Sequence, residues 1–109
     1  MRKGCLELCV LASLWAGRMY GLEILRVLEE ESHLALAEGT IYPILNRLKN
    51  DGLVESEWVE AETGHPRKYY SLTRLGRRRA KHMGRIWAEF SASLSAFIKP
   101  LLEKQELSA

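Results

Sequence analysis

Few residue types in this chain could carry chemistry. Cys5 and Cys9 lie four apart, which on a helix puts both thiols on one face. Such a pair could act as a thiol sensor, or hold a metal with ligands from a second chain. The available nitrogen ligands are His33, His65 and His82, and none stands at motif spacing from the cysteines. No metal is therefore expected, and buried, inert thiols are the ordinary role of such a pair. There is no Ser-His-Asp or Cys-His signature, no phosphate-cradling glycine loop and no cofactor motif. The chain reads as a non-enzyme without a cofactor. What remains is charge. Residues 63–88 hold Arg67, Lys68, Arg74, Arg77, Arg78, Arg79, Lys81 and Arg85 with no acidic residue, after four glutamates and no base in residues 53–62. Charge sorted by segment points to an anionic partner on one face, against the plainer alternative of a solvated helix surface.

These residues need a scaffold, and composition bounds it. The chain has 109 residues, 47% hydrophobic and 28% charged, with a net charge of +2. That is one core of ordinary globular composition, which excludes a disordered or collagen-like chain. No apolar run reaches the roughly 18 residues of a membrane span. A basic start followed by an apolar stretch resembles a signal peptide, but Glu7 interrupts it and no small-residue cleavage site follows. A cytoplasmic protein is expected.

Hydrophobic spacing predicts four helices and one hairpin. Leu6, Leu8, Cys9, Leu11, Leu14 and Trp15 recur at helical steps, and Gly17 ends the run. Leu22, Leu25 and Leu28 mark a stripe of a second helix with Ile24 beside it, and Glu29, Glu30 and Glu31 oppose the dipole at a frayed end. Ile41, Ile44, Leu45 and Leu48 form a third amphipathic helix. Because Pro43 is tolerated best in a first turn, that helix is expected to start near Gly39 or Thr40, with Thr40 as cap and Gly52 as the left-handed stop. Residues 53–60 and 67–72 read as strands around the turn 61–66, with Val54 and Trp58 able to share a face of the first, and Tyr70 and Leu72 on one face of the second with Tyr69 on the other. Thr73 caps a long last helix, which Pro100 ends or kinks. Helix-helix-helix-strand-wing-strand-helix is the order of a winged helix. The fold expected is mainly α with a small β-hairpin: a winged helix-turn-helix DNA-binding domain over 1–80 and a C-terminal dimerisation helix over 81–109, in one compact unit.

In a helix-turn-helix the second helix of the motif offers its N-terminal residues to base edges in the major groove. Here that set is Thr40, Tyr42, Pro43, Asn46 and Arg47, of which Asn46 and Arg47 have forks suited to adenine and guanine. The wing adds His65, Arg67 and Lys68 beside Pro66, donors for phosphate or the minor groove. Lys3 and Tyr20 complete the candidate DNA contacts. In the arginine run, three successive helical residues cannot all face one surface, so long-range steering is their expected part. The last helix carries Met83, Ile86, Trp87, Phe90, Leu94, Phe97, Ile98 and Leu101 at steps of three and four. A helix of roughly thirty residues spans about 45 Å, more than so small a core can cover. A homodimer about a two-fold axis is the economical solution, with Met83, Ile86, Trp87, Phe90, Leu94, Phe97 and Leu101 at the interface. Trp87 and Phe90 near that axis could line an effector pocket, although such stripes are more often plain core. Two readings compete: a winged helix used for protein–protein contact, and a thiol- or metal-responsive regulator using Cys5 and Cys9.

Several motifs also occur together. Tyr20-Gly21-Leu22-Glu23-Ile24, Glu38-Gly39-Thr40-Ile41-Tyr42-Pro43-Ile44-Leu45, Asp51-Gly52-Leu53-Val54, Gly64-His65-Pro66-Arg67-Lys68-Tyr69-Tyr70 and Leu72-Thr73 with Gly76 make residues 4 to about 80 resemble the PadR family. The resemblance implies a dimeric winged-helix regulator, usually a repressor, released from a double-stranded DNA operator by a small aromatic or cationic compound. It implies that Tyr42, Thr40 and the wing basics contact DNA and that the first and last helices, Leu6 included, make the dimer. The single C-terminal helix looks like the short subfamily. His65 stands where arginine or glycine is common, and the two cysteines lie outside the family pattern.

Overall fold

A computed structural model describes residues 2–103, with side chains from residue 4 onward. The order is α1 (Arg2–Ser13), β1 (Met19–Tyr20), α2 (Gly21–Ser32), α3 (Glu38–Asn50), β2 (Val54–Val59), β3 (Arg67–Leu72) and α4 (Arg74–Ile98), closed by a 3-10 turn at Lys99–Leu102. The three strands form an antiparallel sheet in the order β1-β3-β2. This is the winged helix expected, with an added strand. At two residues, β1 is too short for alternation to reveal.

The core lies where α1, α2 and α3 meet the root of the wing. Val10, Leu11, Leu14, Ile24, Ile41, Leu45, Leu48, Leu53 and Val54 are essentially sealed from solvent. Each such side chain contributes about 1.5–3 kcal/mol through burial. In α2 the buried stripe is Ile24 and Leu28, whereas Leu22 is 47% exposed. The expected Leu22–Leu25–Leu28 stripe was rotated because Leu22, at the start of the helix, reaches past the core. The acidic end of α2 is closed rather than frayed. His33 adopts a left-handed φ of 58°, the Leu34 N–H donates to the Leu28 carbonyl at 3.1 Å, and the Ser32 hydroxyl donates to the same oxygen at 2.7 Å.

The start of α3 also differs from expectation. The helix begins at Glu38, its N-cap is Ala37, and Thr40 lies inside the first turn rather than capping it. Pro43 falls in the second turn, where it can offer the Gly39 carbonyl no N–H. Gly39 is exposed, so water can satisfy that oxygen and the helix continues. Gly52, at φ +76°, ends the segment as expected.

α4 is rooted by one compact junction. The Thr73 N–H donates to the Leu53 carbonyl at 3.1 Å, its hydroxyl donates to the Gly52 carbonyl at 2.6 Å, and the same oxygen accepts from the Gly76 N–H at 3.0 Å. Gly76 is buried there, and a Cβ on it would overlap the Leu53 carbonyl. Beyond Ala80 and Met83 the helix leaves the core, and the molecule measures 63 × 28 × 22 Å. The α-helix ends at Ile98, before Pro100, as the sequence indicates.

Alanine normally stabilises a helix relative to glycine by about 1 kcal/mol. At position 76 the sign should reverse. Gly76→Ala is expected to lower the urea midpoint of unfolding, because a helix axis has to move to clear a backbone carbonyl. A rise in the midpoint would show that the junction yields freely.

Candidate nucleic-acid interface

Three elements enclose an open cleft of about 540 Å³: the outer face of α3, the start of α2, and the inner face of the wing. Its lining includes Tyr20, Leu22, Tyr42, Asn46, Trp58, Arg67 and Lys68, with no acidic side chain among the lining residues. Tyr42 and Asn46, four apart, project from one side of α3. Tyr42 lies across Gly21. A Cβ at Gly21 would come within 2.5 Å of the Tyr42 hydroxyl and 2.8 Å of its ring. The smallness of Gly21 is therefore what lets the phenol sit there. Tyr70 closes the floor, and burial followed by the neighbouring Tyr42 phenol pushes its hydroxyl above the usual tyrosine range.

The wing is braced by stacked rings and cations. Tyr20 meets Tyr69 edge-on at 5.5 Å, the Arg67 guanidinium sits 4.5 Å from the Tyr20 ring, and Arg18 sits 4.8 Å from the Tyr69 ring. Arg18 also pairs with Glu57 at 2.5 Å. On the inner face the Lys68 ammonium lies 5.8 Å from both the Trp58 and Tyr70 rings. At such partly exposed sites each contact contributes about 0.5–1 kcal/mol. The hairpin is thereby stiffened with Arg67 and Lys68 held at the cleft. Tyr20 also opens α2, where its N–H donates to the Glu23 carboxylate at 3.1 Å.

Of the residues singled out in the sequence, Tyr20, Tyr42, Asn46, Arg67 and Lys68 line this cleft. Thr40 and Pro43 are exposed on the first turns of α3, and His65 is exposed in the wing turn next to Gly64 at φ +84°. Arg47 is placed differently from the expected base-reading set. Its Nε and Nη2 donate to Glu7 Oε1 at 3.0 and 2.9 Å, which ties α3 to α1 and turns the guanidinium away from the cleft. The Lys3 side chain lies outside the described residues. Trp58 and Gly21 line the cleft too, which their sequence positions did not indicate. Trp58 does share a face with Val54, as alternation predicts, but that face runs out of the core before reaching it.

α4 divides the residues expected at a subunit interface into two groups. Leu6 and Met83 are half-buried against the chain's own core, which takes up much of their apolar surface. Ile86, Phe90, Leu94, Phe97 and Leu101 are 52%, 43%, 44%, 83% and 68% exposed, and among the described residues nothing covers them. Trp87 meets Phe90 edge-on at 6.0 Å. A separate concavity of about 380 Å³ between α1 and α4 is lined by Leu8, Ala12, Trp15, Ala80 and Gly84 rather than by Trp87 or Phe90. In the arginine run, Arg77 lies 4.9 Å from the Trp15 ring, while Arg78 and Arg79 remain exposed.

A helix-turn-helix beside a braced basic wing is the architecture of a winged helix-turn-helix protein. Comparison with known proteins agrees. Residues 10–82 match the Transcriptional regulator PadR-like family. The chain is 41% identical to a PadR-like transcription factor from Bacteroides fragilis, with 89% of this chain and 93% of that one covered and a TM-score of 0.77. It is 30% identical to a PadR-like transcriptional regulator from Bacillus cereus, with 90% and 95% covered and a TM-score of 0.81. A PadR family regulator from Clostridium difficile is 29% identical, with 85% and 97% covered and a TM-score of 0.78. The chain belongs to the PadR family, whose members are DNA-binding transcriptional regulators and not enzymes. Among the described residues no helix is long and apolar enough to cross a membrane.

Cys5 and Cys9 are both half-buried free thiols. Burial, then the charge and hydrogen bond of Cys5, push the Cys9 thiol above the usual cysteine range. A raised value keeps the folded state's thiol protonated, so the associated stability is complete at neutral pH and declines as alkaline pH ionises the unfolded chain. The thiolate is the reactive form. Cys9 should therefore resist a disulfide reagent in native protein at neutral pH and react promptly in denaturant. Rapid native reaction at Cys9 would restore the thiol-sensor reading.

Proposed function

We propose that the protein is a homodimeric repressor that reads an operator with α3 and grips flanking phosphate with the wing. The observation that carries the DNA-reading half is the cleft, where amide and phenol groups on α3 face two wing cations with no acid between them. Tyr42 and Asn46 touch base edges, Thr40 and Pro43 add contacts from the exposed first turns of α3, and His65, Arg67 and Lys68 meet the backbone. The uncovered stripe of α4 supports the dimer. Residues as apolar as Phe97 and Leu101 are stabilised by contact with their own copies about a two-fold axis, which also sets two reading helices at successive major grooves. A small aromatic or cationic effector against Trp87 and Phe90 would relieve repression by shifting the population toward a dimer whose reading heads no longer match the operator. Regulation of this kind belongs in the cytoplasm.

Fluorescence anisotropy on a duplex from the gene's own promoter, against a scrambled duplex across a salt series, tests the reading. A preference of about a thousandfold or more, with a steep salt slope, is expected. Equal, weak binding to both would favour a protein partner. On the same duplexes Tyr42→Ala should cost more on operator than on scrambled DNA, whereas Lys68→Ala should weaken both and lower the salt slope by about one. Equal losses for Tyr42→Ala would remove it from the reading set.

Trp87→Asp places a charge in the apolar stripe, where it would be buried unpaired in a dimer. Sedimentation should then give the mass of a single chain where the parent gives two. A parent that sediments as a single chain would exclude the dimer.

A further inference from the structure

Trp58 has no structural reason to stand where it does. It is 67% exposed, and a tryptophan left in water forgoes the burial that makes it valuable to a core. The inner face of the wing starts inside the core with the pair Val54–Leu72, continues through Ser56–Tyr70, and ends at Trp58–Lys68 over the cleft. Its neighbour on that face, Lys68, holds an ammonium 5.8 Å from the ring centre, within the range of a cation–π contact. Opposite, across the cleft, stand Tyr42, Asn46 and the exposed Leu22. One wall thus offers a cation for an anionic oxygen and, beside it, a flat apolar ring with one N–H donor. A sugar–phosphate strand has the complementary alternation of charged phosphate and apolar deoxyribose. The charge of the cleft favours a duplex as occupant over an acidic or apolar peptide, because the cations lie beside α3 groups suited to base edges.

We propose that Trp58 is a DNA contact: its indole lies against deoxyribose of the strand passing between the wing and α3, while Lys68 beside it meets the adjoining phosphate. This rests on the DNA-reading function proposed above and assigns a role to a residue that reading left out. Sugar contact carries no base information, so Trp58 contributes to affinity for any duplex. It carries no charge, so it contributes nothing to counterion release.

The test uses the whole protein, with operator and scrambled duplexes as probes. Trp58→Ala should weaken binding to both by about five- to tenfold with an unchanged salt slope. Lys68→Ala should lower that slope. Trp58→Phe keeps an apolar ring and should recover most of the loss. Thermal unfolding of each variant separates a weakened site from a damaged wing. Independently, the tryptophan emission lost in Trp58→Phe isolates the Trp58 signal, which should be open to acrylamide in free protein and shielded at saturating DNA. Parent protein that binds DNA while Trp58→Ala binds within twofold and the Trp58 signal stays open would overturn the proposal, leaving the ring for a protein partner. Parent protein that binds neither duplex would sink the DNA-reading function itself, and this contact with it.

Discussion

Four backbone groups and one hydroxyl hold the architecture to a single geometry. Thr73 reaches back to Gly52 and Leu53, at the point where α3 gives way to the wing, and forward to Gly76 in the first turn of α4. The end of α3, both ends of the hairpin and the root of the long helix therefore meet around one residue. Gly76 allows the approach, since α4 could not lie so close to the Leu53 carbonyl with a Cβ in between. Hydrogen bonds of this kind are modest singly. Here they set a direction as well as a stability. α4 leaves the core at an angle fixed by the same groups that end α3.

The electrostatics make sense only with a partner in mind. Arg74, Arg77, Arg78 and Arg79 crowd the first two turns of α4, which have no acidic residue in the first turn. Cations there oppose the helix dipole by a few tenths of a kcal/mol each. Little of that is recovered within the fold beyond the contact of Arg77 with Trp15. A field of one sign on the molecule raises the encounter rate with a polyanion. The glutamates of the hairpin have a different place. Glu55 and Glu57 lie on the outer face of β2, and Glu57 neutralises Arg18 there instead of competing in the cleft.

Most of the fold could be read from the chain because its signals were local and strong. The stripe Ile41, Ile44, Leu45 and Leu48 is buried as its spacing requires, Thr73 caps α4, and Gly52 takes a positive φ. What escaped was decided by contacts distant in sequence. Arg47 looked like a free fork because Glu7 is forty residues away. Leu22 looked like core because nothing local says that α2 turns its first residues toward the wing. β1 exists only because β3 offers a free edge at Tyr69 and Tyr70. In the cleft, the convergence of Tyr42, Asn46, Arg67 and Lys68 was legible from residue type and position. Gly21 was not, since its part lies in what a missing Cβ leaves room for. Nor was Trp58, because alternation identifies a face without telling where that face leaves the interior.

The length of α4 has a mechanical consequence. Its 25 residues make a rod of about 37 Å, held against the core from the Thr73 end to about Met83. A tilt of roughly 5° of the whole rod about the Thr73 end sweeps the far end through about 3 Å, close to the spacing of one base pair. The relation also runs in reverse. On the proposed reading, a second copy gripping the outer half of α4 would set the pitch of α3 with the leverage of a long handle, and adjustments too small to disturb the core would move α3 relative to a groove.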